Sequence, residues 1–365
     1  MLKRLHLRNF TVFEDAEFEL GPGLNVIVGA NGTGKSHVLK AGYAMLQNIS
    51  FNILEHKESR DGFLNMPSGP FVLDLDAKLV SVFQPAPFRD VELVRRNTKS
   101  LRATLEAVMT YDGLQATKSI ALPFERRTGS PVDVSPKGAN LTPHSFSDPV
   151  FFPAKEVLTM GWLLPLYDLR NLPVDQTYPD LLRLLGVSPL KAPEPSISRI
   201  LGQLQQLIGG KAEEEGGRYY LVAPNQPRME MNMVAEGMRK FATLYKLLAN
   251  GTLTPETTLF WDEPEANLNP ALLKEMAAVL AMLARAGFQI ILATHSLFLL
   301  KELHILSRQE QLPIKYFGLS AENGGPTQVS TADTLTALPN LVALDVEMAQ
   351  SDIFLDVLNQ EDASI

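Results

Sequence analysis

One eight-residue segment constrains this chain more than any other: Gly29-Ala30-Asn31-Gly32-Thr33-Gly34-Lys35-Ser36 meets every fixed position of the phosphate-loop pattern G-x-x-x-x-G-K-[ST]. Its flanks agree. Leu24-Asn25-Val26-Ile27-Val28 is a short apolar strand candidate, and His37 to Leu46 is a helix candidate. Strand, glycine loop and helix together point backbone N–H groups and the positive end of a helix dipole at a phosphate. Gly29, Gly32 and Gly34 let the backbone come close and take positive φ. Lys35 is placed to reach the terminal phosphates of a nucleotide and Ser36 to offer a hydroxyl to Mg²⁺. Ala30, Asn31 and Thr33 complete the cradle.

A second constellation lies far downstream. Thr258-Leu259-Phe260-Trp261 is an apolar strand candidate that ends in Asp262-Glu263-Pro264. An aspartate at a buried strand end can hold Mg²⁺, and the glutamate after it can polarise a water for attack on a γ-phosphate. Consecutive strand residues point to opposite faces, so the chain must turn there for both acids to serve one site; Pro264 suits such a turn. A further strand, Phe288 to Ala293, ends in Thr294-His295-Ser296, where a histidine could reach the γ-phosphate or the attacking water.

Composition narrows the alternatives. With no cysteine in 365 residues, disulfides, zinc–thiolate sites, iron–sulfur clusters and thiol nucleophiles are excluded. The six histidines show no H-E-x-x-H spacing. The formal net charge of -8 and pI of about 5.4 argue against a protein that coats nucleic acid. No run approaches the roughly 20 apolar residues of a membrane span, and Met1 to Phe10 alternates apolar and basic residues as a half-buried strand does. The expected location is the cytoplasm.

The pattern predicts a nucleotide-binding core from residues 1–48 and 231–365, with 49–230 as an inserted β-rich and helical lobe. Phe71–Leu75, Lys78–Phe83, Leu101–Val108 and Ser119–Leu122 read as strands, with Asp112-Gly113 turning between the last two. Gly129 to Pro149 reads as a loop, and Val150-Phe151-Phe152 as a short buried strand. Helices are expected over 178–185 and 197–208, and 209–217 as an exposed turn. Further helices are expected at 234–250, 270–286 and about 297–304.

These segments resemble the ABC-class ATPases, in the branch with RecF, Rad50 and the SMC proteins, and most of all the AAA-15/AAA-21-type bacterial ATPases related to the OLD proteins. The resemblance rests on Leu5-His6-Leu7-Arg8-Asn9-Phe10, the loop GANGTGKS, the run LFWDEPEANLNP and the switch ATHS. It implies an α/β fold: an ABC-type head with a mixed β-sheet core, an antiparallel β lobe and a helical lobe. It implies ATP and Mg²⁺ as ligands, Ser36 and Asp262 as metal-holding residues, and Glu263 and His295 as the catalytic pair. Where the family carries Leu-Ser-Gly-Gly-Gln this chain offers Val234-Ala235-Glu236-Gly237-Met238. There Gly237 would bring N–H groups to a partner's γ-phosphate, Ala235 lacks the family's hydroxyl, and Arg239 or Lys240 could compensate. For the Q-loop position near the metal, Gln84 is the first candidate and Lys155 the second. Asn269 stands where transporters usually carry Asp.

The resemblance also implies a homodimer formed on ATP binding, and a separate protein effector of the kind found in bacterial anti-phage systems, docked through the 49–230 lobe. DNA contact would be weak, through Arg95, Arg96 and Lys99. A RecF- or SMC-like repair role is the alternative. A transporter subunit fits less well, because the region between the two nucleotide motifs is long and strand-rich. A non-hydrolysing scaffold fits less well because both acids and the histidine are present. No heptad run is long enough for a coiled coil, and the roughly 70 residues after His295 lack an obvious Glu…Asp-x-Asp nuclease set.

Overall fold

The computed structural model describes residues 1–56, 75–85, 90–95, 102–111, 114–122, 133–136, 148–170, 172–322, 324–339 and 342–362. Two larger sheets organise them. The central one is six-stranded, in the order β14-β13-β3-β12-β11-β7. Its strands are β3 (Leu24–Gly29), β7 (Val150–Phe152), β11 (Thr258–Asp262), β12 (Gln289–Thr294), β13 (Ile314–Ser320) and β14 (Gln328–Ala332). All neighbours run parallel except β14, which pairs antiparallel with β13. Both faces are covered, so β3, β11 and β12 are buried along their whole length and apolar almost throughout. Alternate residues feed two separate cores. Leu259, Trp261, Ile290, Leu292, Val26 and Val28 point to one, and Phe260, Ile291, Ala293 and Ile27 to the other.

The second sheet is antiparallel, with five strands in the order β2-β1-β4-β5-β6: β1 (Leu2–Phe10), β2 (Phe13–Glu19), β4 (Ala103–Tyr111), β5 (Leu114–Leu122) and β6 (Asp133–Pro136). Helix α1 (Lys35–His56) packs between the two sheets, with Val38, Leu39, Tyr43 and Met45 in the shared core. The sheets are also tied by one side chain. Gln289 is fully buried; it accepts from Leu2 N and the Thr258 hydroxyl and donates to Leu2 O and Gly21 O, all at 2.7–2.8 Å.

The other face of the central sheet carries α4 (Thr177–Leu185), α5 (Pro195–Ile208), α6 (Glu236–Ala249), α7 (Pro270–Arg285) and α8 (Leu297–Glu310). Their ends are set locally. Pro195 and Pro270 open α5 and α7, Asn269 and Ser296 accept N-cap bonds from Leu272 N and Leu299 N, and Gly209 closes α5 at φ 74°. A small sheet of β8 (Lys211–Glu215), β9 (Arg218–Val222) and β10 (Met229–Glu230) sits beside them with α3 (Leu163–Leu169). Helix α9 (Val342–Asp362) ends the described chain.

Three expectations change. Lys78–Phe83 is not a strand but belongs to helix α2 (Leu75–Phe83), because Leu75, Leu79 and Val82 share one helical face in the core. The buried Lys78 ammonium then meets Asp180 of α4 at 2.5 Å. Residues 211–215 of the expected turn form β8, with Ala212 buried. Part of the expected loop after Gly129 is strand β6. The hairpin register Tyr111↔Leu114 leaves room for the Asp112-Gly113 turn, which lies outside the described residues, as do Phe71 to Asp74.

The chain also divides differently from the expected 49–230 insertion. β4 hydrogen-bonds to β1, and β7 inserts beside β11 in the central sheet. The 49–230 segment is therefore shared between the two sheets and the helical face. Backbone pairing of β4 with the N-terminal strand is what overrides the break that sequence order suggests.

Candidate functional site

The carboxyl ends of β3, β11 and β12 lie side by side, which is where open parallel sheets bind ligands. β3 leads into the phosphate loop. Gly32 and Gly34 take φ of 82° and 93°, which L side chains rarely adopt. Gly29 is required for a different reason: a Cβ there would lie 2.6 Å from Leu319 O and 2.7 Å from Thr33 Oγ1. The Thr33 hydroxyl closes the loop on Ala30 O at 2.8 Å. Lys35 opens α1, and its buried ammonium donates to Gly29 O (2.8 Å) and Ala30 O (3.1 Å). Burial lowers its pKa, while the fields of Glu263, Asp262 and Glu265 act the other way. A positive charge thus faces a cluster of acids across the loop.

The acids come from the turn after β11. Asp262 is buried, and desolvation raises its pKa against the opposing hydrogen bond donated by the Ser36 hydroxyl. Its Oδ1 is buried with no hydrogen-bond partner among the described residues. A buried carboxylate oxygen left unpaired beside a serine hydroxyl is the donor set of a hard divalent cation, so the residues present fit Mg²⁺. The turn expected after Asp262 is made at Glu263 itself, whose φ is 47°. Glu263 N donates to Ala293 O at 2.9 Å, and its Oε1 lies 3.4 Å from Nδ1 of the half-exposed His295.

Glu265 was not singled out by the sequence. It is nearly buried, and its Oε1 accepts from the Thr294 hydroxyl (2.7 Å) and from His295 N (3.1 Å). His295 Nδ1 lies 3.5 Å from the same oxygen. Glu265 therefore bolts the turn after β11 to the end of β12 and holds the histidine's backbone. The available signal was the third acid of Asp262-Glu263-Pro264-Glu265, too close to the strand end to reach bulk water.

Helix α6 begins at Glu236, with Ala235 as its exposed N-cap. Gly237 is buried against the loop after β11: a Cβ would lie 2.7 Å from Leu268 Cδ2 and 3.0 Å from Asn267 O. A side chain here would force Leu268 and the Asn267 carbonyl to shift, so packing favours glycine. Arg239 and Lys240 do not face outward to replace the missing serine hydroxyl. Arg239 pairs with the buried Glu156 at 2.7 Å and donates to Val234 O and Asn232 O. Lys240 Nζ donates to Glu263 O at 2.9 Å and Pro264 O at 3.4 Å. Asn269 serves as the α7 N-cap.

Of the two Q-loop candidates, the structure favours the segment of Lys155. It follows β7, whose neighbour is the Asp262 strand. Gln84 ends α2, a helix, and its amide is committed to Ser81 O (2.8 Å) and Val174 O (3.2 Å). It lines a cleft of about 510 Å³ with Thr11, Val12, His37, Glu92 and Arg95. That cleft adjoins the phosphate loop, since a Cβ on Gly34 would lie 2.5 Å from Val12 Cγ2. Arg95 is mostly buried in its wall and lies 3.8 Å from Glu14, so it is not free for DNA; Arg96 and Lys99 lie outside the described residues.

Residues 133–301 match the family model "AAA domain, putative AbiEii toxin, Type IV TA system", and residues 4–42 match "AAA domain". A stretch of 54 residues is 44% identical to the DNA replication and repair protein RecF of Edwardsiella ictaluri, and a match of the same length and identity is found with RecF of Citrobacter koseri. The chain spans 15% of the length of these curated relatives, and the match covers 15% of this chain. The fold as a whole is similar to an SMC head solved bound to the C-winged helix domain of ScpA, with a TM-score of 0.51 and 14% identity over 92% of this chain and 98% of that one. Among the described residues no helix is long and apolar enough to cross a membrane.

Proposed function

We propose that this chain, an ABC-class ATPase of the RecF, Rad50 and SMC branch, binds ATP at the Gly29–Ser36 loop and hydrolyses it with Glu263 as general base. The observation that carries this reading is the meeting of Lys35, Ser36, Asp262, Glu263 and His295 at three adjacent strand ends, with the Ser36 hydroxyl on Asp262 and Glu263 beside His295. Loop amides from Gly29 to Gly34 and the Lys35 ammonium take the phosphates. Ser36 and Asp262 would hold Mg²⁺, which would supply charge neutralisation for the phosphates. Glu263 accepts the proton of the attacking water, and His295 orients that water or the γ-phosphate. The cleft of Thr11, Val12 and His37 suits the base and sugar, being open, mixed in polarity and contiguous with the loop.

Calorimetric titration with a non-hydrolysable ATP analogue tests the binding half. Lys35→Ala removes charge-assisted bonds of about 1.5–3 kcal/mol, a loss of roughly 10- to 100-fold in affinity. Unchanged affinity would rule out the loop as the nucleotide site.

ATP is expected to join two copies through an isologous interface, with the exposed N-terminus of α6 at Ala235 turned toward the partner's phosphates. Light scattering of Glu263→Gln with ATP should show a doubled mass, and Ala235→Glu should abolish it. A mass that stays at 40.3 kDa contradicts this. As to output, the RecF likeness favours an ATP-driven role on DNA. Control of a separate effector in bacterial defence rests only on the toxin-system wording of one family description. ATP-dependent DNA binding at physiological salt separates the two readings: its presence supports the first, and its absence together with a co-purifying protein supports the second.

A further inference from the structure

Three contacts fasten the start of α6 to the loop that carries the candidate base. Asn267 Nδ2 donates to Glu236 Oε1 at 2.8 Å, Gly237 packs on Asn267 O and Leu268, and Lys240 reaches under the turn to the Glu263 and Pro264 carbonyls. The third is unusual. Lys240 is 5% exposed, and it directs its ammonium to two main-chain oxygens although Glu263, Glu265, Glu236 and Asp262 all lie close enough to act on it. Burying an ammonium is costly unless its donors are used. Here they are used on a residue that itself stores strain, since Glu263 is non-glycine with φ 47°. Such conformations persist only where the surroundings over-determine them, and they gather at functional sites. Glu263 O takes a second bond from Ala266 N (3.1 Å), and Glu263 N is held by Ala293 O. The other two α6 contacts reach only Asn267 and Leu268; the hydrogen bonds described from α6 to the Glu263–Pro264 turn itself are those of Lys240.

We propose that Lys240 is a positioning residue for Glu263: its ammonium grips the Glu263 and Pro264 carbonyls and so keeps the left-handed turn that aims the Glu263 carboxylate at the strand-end site. This rests on the reading of Glu263 as the base. The same bond runs from the first turns of α6, the helix expected to meet a second copy, directly to the backbone of the base. A shift of α6 would therefore be passed to the Glu263 backbone.

A double-mutant cycle on the full chain tests this, reading steady-state kcat and KM together with affinity for a non-hydrolysable ATP analogue. Lys240→Met keeps the length and loses the donors. It should lower kcat on the order of 10²-fold, as displacement of a catalytic group does, with analogue affinity unchanged. In the Glu263→Gln background the same substitution should lower kcat hardly at all, because the group it positions is already disabled. Lys240→Gln, which keeps an N–H donor, should recover part of the rate, and it carries the same cycle if the Met variant does not fold. Additive losses in the two backgrounds would overturn the proposal, as would a Lys240→Met kcat equal to wild type while Glu263→Gln is slow. A Glu263→Gln protein as fast as wild type would instead refute the base assignment, so the two failures are distinguishable.

Discussion

Glu265→Ala should be the most informative stability variant near the site. Its carboxylate accepts from the fully buried Thr294 hydroxyl at 2.7 Å and from His295 N at 3.1 Å. Truncation leaves both donors without their acceptor. An unsatisfied buried donor costs about 1–3 kcal/mol; Thr294 should incur the full amount, while the part-buried His295 N–H can find water. Deleting the side-chain methylenes adds a smaller cavity cost. One effect opposes these: the Glu265 Oε2 atom is itself buried and unpartnered, so removing the carboxylate relieves that desolvation. The net expectation is destabilisation of about 1–3 kcal/mol by urea unfolding without nucleotide. Glu265→Gln, which keeps Oε1 as acceptor, should lose much less. ATP turnover of the Ala variant should fall as well, because His295 loses the bond that sets its backbone. An Ala variant within about 0.5 kcal/mol of wild type, the range of ordinary surface changes, would refute the assignment of Glu265 as the tie between the two strand ends.

Gly237→Ala should destabilise the nucleotide-free protein by about 1–3 kcal/mol through overpacking against Leu268 and Asn267 O, seen as a lower melting temperature; an unchanged melt would mean that glycine is needed there only for a ligand or partner. Lys240 carries a pH signature. Burial pushes its pKa down to about 8, against Glu265, Glu236, Glu263 and Asp262, which all raise it. The unfolded chain then holds a proton that the folded one has shed between about pH 8 and 10.5. Stability relative to Lys240→Met should accordingly rise across that window, by about 3 kcal/mol in total, and stay flat between pH 6 and 7.5. A flat difference across the whole range contradicts the burial of that ammonium.

The parts of the molecule legible in the sequence are those fixed by local chemistry. The glycine loop, the strands of the central sheet and the Pro270 and Ser296 helix starts all announce themselves, because a parallel strand covered on both faces must be apolar throughout and caps need particular residues. The turn at Asp262-Glu263 could be reasoned from strand alternation alone. What stayed hidden depends on what packs against what. Lys-Leu-Val-Ser-Val-Phe has the β-branched look of a strand, yet it becomes helix α2 because its i, i+4, i+7 face meets α1. Glu213-Glu214-Glu215 looked like a solvated turn, yet it pairs with β9. Lys240, expected with Arg239 to stand in for the missing serine hydroxyl, instead turns inward because α6 lies under the 263–265 turn. Gln84 misled because a strand was expected to lead it to the metal, and the helix instead directs its amide to Val174 O. Each of these errors concerns a neighbour that sequence order does not supply.

The central claim is that Glu263, held in a left-handed turn beside Asp262 and His295, is the base of an Mg²⁺-dependent ATP hydrolysis. The most direct test is phosphate release by Glu263→Gln and wild type at saturating ATP and Mg²⁺, with analogue affinity measured in parallel. General-base catalysis contributes on the order of 10²–10⁴-fold, so the variant should lose turnover by about that factor while binding the analogue as tightly as wild type. Turnover equal to wild type with binding intact would contradict the account.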